Sequence, residues 1–144
     1  MLKELINEQR VKKVSKVKDW EEAIKVAARP LLEDGSIKEE YVEAMIESIK
    51  KHGPYIVLAD RFALPHASAK EGVNRLSMSL LTVEEEVDLL GKPVNIFMVL
   101  ATVDNNSHIK ALASLSELLY DEENLKIFRD GDSKKILKII NDQN

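Results

Sequence analysis

The 144-residue sequence contains no cysteine. Thiol nucleophiles, disulfides, iron–sulfur ligation and Cys-type zinc sites are therefore excluded, and any nucleophilic or acid–base chemistry falls to His, Ser, Thr, Lys, Tyr or a carboxylate. The absence fits the cytoplasm, which is the expected location. Glycine and proline are scarce, with Gly 5 and Pro 4, while 44% of residues are hydrophobic and 32% charged, the balance of a compact soluble protein rather than a disordered or fibrous one. There is no excess of basic charge: 21 Lys and Arg against 25 Asp and Glu give a net −4, so nothing marks a nucleic-acid partner. There is no long hydrophobic run either. The longest, around Phe97 to Ala101, is far short of a membrane span, and the opening MLKELINEQRVKK threads charges through its apolar positions, unlike a signal peptide. GxGxxG, GxxxxGK[ST] and GxSxG are all missing, which removes the commonest nucleotide and hydrolase readings. A chain of this length forms a single core, so residues 1–144 are expected to be one domain.

What is present reads as helices flanking a block of strands. Leu2, Leu5 and Ile6 suggest a short helix, and Val11, Val14 and Val17 an edge strand or an extended connection. Asp19 with Glu22 makes a capping box for a helix carrying Trp20, Ala23, Ile24, Ala27 and Ala28 on one face. Pro30 should kink or end that helix unless it opens a continuation through Leu31 and Leu32. Ser36 with Glu39 reads as a second capping box, for a helix with the stripe Ile37, Tyr41, Met45, Ile46 and Ile49, stopped at His52-Gly53-Pro54. The pattern then becomes extended at Tyr55 to Leu58, Leu76 to Val83 and Val94 to Ala101, the last apolar enough for a central strand. Glu84-Glu85-Glu86 and Asp121-Glu122-Glu123 look like solvated turns. Asp104 to Ser107 caps a helix from Ile109 to Tyr120 whose apolar residues run almost all the way round, predicting deep burial. Helices at about Glu122 to Phe128 and Ser133 to Ile140 follow. The expected fold is α/β, a single domain with a mixed β-sheet covered by helices on both faces.

The chemistry concentrates on the histidines. Pro65-His66 lies within ADRFALPHASAKEG (residues 59–72), where proline stiffens the loop that aims the imidazole. A neutral imidazole is a nucleophile at cellular pH, yet a Pro-His dipeptide alone is ordinarily just a surface loop. His108 lies in the first turn of a predicted helix, where free N–H groups and the helix dipole favour anions, although filling space is the ordinary role there. His52, at a helix C-terminus, suits a structural part. The separations match no compact metal motif, and a three-histidine metal site needs the fold to gather residues far apart in the chain.

Taken together, HGPYIVLADRFALPHA, EGV and LLTVEEEVDLLGKPVNIFMVLATVDNNSH resemble the EIIA component of the bacterial phosphoenolpyruvate-dependent sugar phosphotransferase system, in the mannitol/fructose class (type 2) and its ascorbate-type branch. The resemblance spans nearly the whole chain. It implies that His66 accepts a phosphoryl group from the phosphocarrier HPr and passes it to a cysteine on EIIB for sugar uptake, with ascorbate a candidate sugar and membrane-embedded EIIC involved indirectly. With no cysteine here, EIIB is expected on a separate chain. His108 would support the phosphohistidine, Arg61 and Ser107 are candidates for positioning the phosphate, and neither metal nor cofactor is called for. Where the family commonly has a small turn residue, this sequence has Asp60-Arg61-Phe62, so a turn with positive φ would be built differently and Arg61 points either into the site or into solvent. Phe62 and Leu64 are candidates for an apolar rim that both partners touch. Two other readings stand beside this one: a regulatory module of the same fold phosphorylated at His66, and a histidine-based metal enzyme.

Overall fold

The structure, a computed structural model, describes residues 2–68 and 72–143. After two short 3-10 turns, Leu2–Glu4 and Glu8–Arg10, the elements are β1 (Val11–Val14), α1 (Trp20–Glu33), α2 (Glu39–His52), β2 (Val57–Ala59), β3 (Phe62–Ala63), β4 (Ser77–Leu89), β5 (Lys92–Ala101), α3 (Asn105–Leu119), α4 (Glu122–Asp130) and α5 (Ser133–Asp142). The five strands form one sheet in the order β1-β4-β5-β3-β2. β1 runs parallel to β4 and β3 parallel to β5, while the β4–β5 and β2–β3 pairs are antiparallel, so the sheet is mixed as expected.

Period-two alternation divides β5 between two cores. Phe97, Val99 and Ala101 join the helices α1 and α2 on one face, and Ile96, Met98 and Leu100 join α3, α4, α5 and the first 3-10 turn on the other. Complete burial of an aliphatic or aromatic side chain of this kind contributes about 1.5–3 kcal/mol. Two of the buried polar residues of β4 follow the same alternation: the Ser79 hydroxyl donates to the Ala27 carbonyl at 2.6 Å, and that of Thr82 to the Phe128 carbonyl at 2.8 Å. Each is paired, so neither hydroxyl opposes the packing.

Several local expectations are met and others change. Asp19 caps α1, accepting from the Glu22 backbone N–H at 2.9 Å, while the Glu22 carboxylate reaches back to the Lys18 N–H at 2.5 Å. Pro30 neither ends nor breaks α1. It lies buried in the last turn, where its fixed φ suits a helix and only one backbone donor is lost. Ser36 does not cap α2; the N-cap position is Lys38, with no side-chain hydrogen bond. Ser36 is instead fully buried, its hydroxyl donating to Asp34 at 2.5 Å and accepting from Arg10 and Arg75 at 3.1 and 2.9 Å. Glu84-Glu85-Glu86 is no turn but an exposed stretch within β4, at an irregularity between Thr82 and Val87 that lets the strand continue with charged side chains in water. α3 buries only Ala111, Leu115 and Leu118 fully and leaves Ile109 63% exposed, because the helix lies on the outside of the sheet with one face inward. Among the described residues, no helix is long and apolar enough to cross a membrane.

Candidate functional site

The short strand β3 ends at Ala63 beside β5, and the chain leaves it as Leu64-Pro65-His66. Leu64 N–H donates to the Ile56 carbonyl at 2.8 Å, and Leu100 N–H, near the end of β5, donates to the Pro65 carbonyl at 3.0 Å. One residue past the histidine, Ala67 N–H donates to the Tyr41 hydroxyl of α2 at 3.1 Å. His66 is thus presented by a segment anchored to the sheet, a firmer mount than its loop-like sequence suggests. The remainder of that segment, 69–71, lies outside the described residues.

His66 Nδ1 lies 2.7 Å from the Leu64 carbonyl oxygen. A carbonyl only accepts, so Nδ1 carries the proton and the lone pair of the neutral ring belongs to Nε2. The ring stands edge-on to Tyr55, with centroids 5.6 Å apart at 81°, and meets His108 at 5.2 Å and 50°. Tyr55 in turn stands edge-on to His52 at 6.1 Å, shares a hydrogen bond of 2.8 Å with the Ser48 hydroxyl and donates to the His66 carbonyl at 3.4 Å.

His108 reaches the site because α3 begins directly after β5. Asp104 caps α3, accepting from the Ser107 N–H at 2.7 Å, and the Asp104 carbonyl receives His108 N–H at 3.3 Å. Burial, reinforced by the neighbouring His66, lowers the pKa of His108 below the ordinary histidine value, which favours the neutral ring near pH 7. Hydrogen bonds from the first turn of α3, chiefly from Ser107, lower that of Asp104. A cleft of about 610 Å³ lies over these groups, lined by Ser48, Tyr55, His66, Thr102, Asp104 and His108 among others. Its described lining includes no Lys or Arg.

Of the expected site residues, the fold therefore brings His66 and His108 together. Ser107 precedes His108 and serves the Asp104 cap. Arg61 does not line the cleft: its guanidinium donates to Glu86 at 2.6 Å and Asp60 at 2.9 Å, and Asp60 also receives Arg129 at 3.1 Å. Of its two expected orientations, the ion pairs hold Arg61 to the outward one. Arg61 itself supplies the left-handed turn between β2 and β3, with φ 59°. Phe62 and Leu64 form no exposed rim, since both are fully buried in the core under α3 to α5. Among the described residues, the exposed large apolar side chains beside the site are Tyr55, at 43% of its surface, and Val103, at 47%. Sequence reasoning passed over Ser48, Tyr41 and Tyr55 as site residues. The one usable signal was Tyr41, whose hydroxyl sits on a buried apolar stripe and has to find partners there. Among the described residues, no group of three His, Asp or Glu side chains is arranged to hold a metal.

Comparison with known proteins gives the family and the fold. The family model described as phosphoenolpyruvate-dependent sugar phosphotransferase system, EIIA 2, matches residues 4–143. The mannitol-specific cryptic phosphotransferase enzyme IIA component of Escherichia coli (strain K12) is 36% identical over 138 residues, covering 94% of both chains. The ascorbate-specific PTS system EIIA component of the same strain is 31% identical over 114 residues, 76% of this chain and 74% of that one. Among solved structures, the solution structure of the mannitol-specific cryptic enzyme IIA from Escherichia coli superposes with a TM-score of 0.88 at 34% identity, covering 96% and 97% of the two chains. A complex of mannitol enzyme IIA with phosphorylated mannitol enzyme IIB from Escherichia coli shares the fold, with a TM-score of 0.78 at 23% identity over 93% and 95%.

Proposed function

Since this chain belongs to the EIIA type-2 family of the phosphoenolpyruvate-dependent sugar phosphotransferase system, we propose that it carries a phosphoryl group on His66, taken from phospho-HPr and passed to EIIB. The observation that carries this reading is the fixed tautomer of His66, whose Nδ1–H is held by the Leu64 carbonyl at 2.7 Å while Nε2 keeps its lone pair. In the first transfer, Nε2 attacks phosphorus on the donor phosphohistidine. The Nε2–P bond forms as the donor N–P bond breaks, and its electron pair returns to the donor ring. No proton has to leave His66. The positive charge its ring acquires is shared with Nδ1–H and stabilised by the Leu64 carbonyl. That charge also makes the ring a better leaving group when an EIIB thiolate attacks in the second transfer.

Phosphoryl transfer asks the protein mainly for position and electrostatic complementarity, which an anchored His66, a neighbouring His108 and the start of α3 supply. In this reading Ser107 acts through the Asp104 cap that holds the His108 turn, and Arg61 secures the turn leading into the Pro65-His66 segment. The solved mannitol IIA–IIB complex on the same fold supports an EIIB partner. The accepting cysteine lies outside this sequence. The transfer serves sugar uptake through EIIC from the cytoplasmic side.

Incubation with phosphoenolpyruvate, enzyme I and HPr, followed by intact-mass measurement, tests the proposal. An acid-labile phosphate adduct is expected on the wild type and none on His66→Ala. Failure of the wild type to form the adduct, or its persistence in the variant, overturns the assignment.

A further inference from the structure

We infer that Tyr41 is a positioning residue for His66, its buried hydroxyl locking the backbone on the far side of the phosphoacceptor to the same strand residue that holds the near side. The inference rests on the reading of His66 as phosphoacceptor and extends the site to a side chain that does not line the cleft. The links form a closed path. Leu100 N–H donates to the Pro65 carbonyl at 3.0 Å, the Tyr41 hydroxyl donates to the Leu100 carbonyl at 2.5 Å, and the same hydroxyl accepts from Ala67 N–H at 3.1 Å. Both neighbours of His66 are therefore referred to Leu100, Pro65 directly and Ala67 through the phenol.

Only a group that donates and accepts at one atom can close this path, and a phenolic oxygen does both. Tyr41 is fully buried on the α2 stripe beside Met45 and Ile49. A hydroxyl there is costly unless paired, and it is paired twice. Burial raises its pKa far above the ordinary tyrosine value, so it keeps its proton at any pH at which the protein functions. The contact from the Tyr55 hydroxyl to the His66 carbonyl is 3.4 Å long and belongs to an exposed side chain, a weaker hold than the buried phenol of Tyr41. The position of the imidazole sets the angle at which Nε2 meets phosphorus, and a misplacement of about 1 Å costs transfer roughly 100-fold.

Tyr41→Phe keeps the ring and removes only the hydroxyl. Single-turnover phosphorylation of this variant by phospho-HPr is expected to slow about 10- to 100-fold at saturating donor, while the half-saturating donor concentration stays within about twofold and the adduct still reaches completion. A lowered melting temperature with an unchanged rate would mean a merely structural role and overturn the inference, as would a loss confined to donor affinity. Amide exchange on the wild type gives a second measurement that needs no variant to fold. Ala67 N–H should be strongly protected despite lying in a connecting segment, and exchange as fast as an exposed amide overturns the inference. If the wild type forms no adduct, the proposed function fails and the positioning role with it, whereas a wild type that forms the adduct beside a Tyr41→Phe variant of unchanged rate overturns the positioning role alone.

Discussion

The rings of His66 and His108 lie 5.2 Å apart, centroid to centroid, with their planes inclined by 50°. They come from different layers of the fold: one follows β3, which lies between β5 and the edge strand β2, and the other rides the first turn of an outer helix. This pairing should make His108 a helper of His66 without making it indispensable. In His108→Ala the adduct on His66 is expected to form about 100-fold more slowly, the scale of one lost electrostatic partner. Single-turnover mass measurements check this, and complete loss of the adduct in a folded variant would overturn the supporting role given to His108.

The titration of His108 has a definite sign. Its folded pKa is depressed, chiefly by burial, below the unfolded value of 6.5. The unfolded chain thus binds the proton more readily, and the stability that His108 contributes is complete above about pH 6.5 and lost as pH falls through its folded pKa. Proton NMR of the unmodified protein should show the His108 ring titrating below the ordinary midpoint. Phosphorylation of His66 places a dianion beside the ring, so the midpoint should then rise. An unmoved midpoint would mean that the phosphoryl group lies away from His108.

A second titration belongs to the buried cluster around Ser36. Burial works to raise the pKa of Asp34, but hydrogen bonds from Ser36 and Arg10 and the Arg10 charge outweigh it and bring it to about 2. The contribution is present above the unfolded value of 3.8 and disappears as pH falls towards 2. Asp34→Ala leaves the Ser36 hydroxyl and the largely buried Arg10 guanidinium short of an acceptor. Urea unfolding at pH 7 should show a loss of about 1–3 kcal/mol that shrinks in acid. Phosphorylation of His66 should be unaffected.

The sequence was most legible where one residue pattern has one physical solution. The apolar run of β5 needs cover on both faces, and Asp19 before Trp20 and Glu22 starts a helix. It was least legible where the same pattern serves two ends. Ser36 with Glu39 has capping-box spacing, but the neighbourhood of Asp34, Arg10 and Arg75, invisible in a linear reading, takes the hydroxyl into a buried cluster. The two-residue β3 leaves no periodicity to detect, so Phe62 and Leu64, read as a loop rim, belong to the core. Glu84 to Glu86 looks like a turn because side-chain polarity says nothing about backbone pairing. At the site, His66 and His108 were legible as a pair only through the family resemblance. Their 42-residue separation is bridged by sheet pairing that no local pattern encodes.

Leu100 presents an apolar side chain to the core under α3 to α5, while its N–H and carbonyl serve the backbone around His66. Its contribution to the site comes from peptide atoms that every amino acid except proline possesses, so chemical identity at this position is nearly free so long as the core stays filled. What cannot vary is the alignment of β5 against β3, because a slip of one residue would exchange the peptide units facing Pro65 and Tyr41 and turn each side chain to the opposite face. The sheet thus acts as a ruler for the site, and an insertion or deletion in β5 should disable phosphoryl transfer even if every residue lining the cleft is retained.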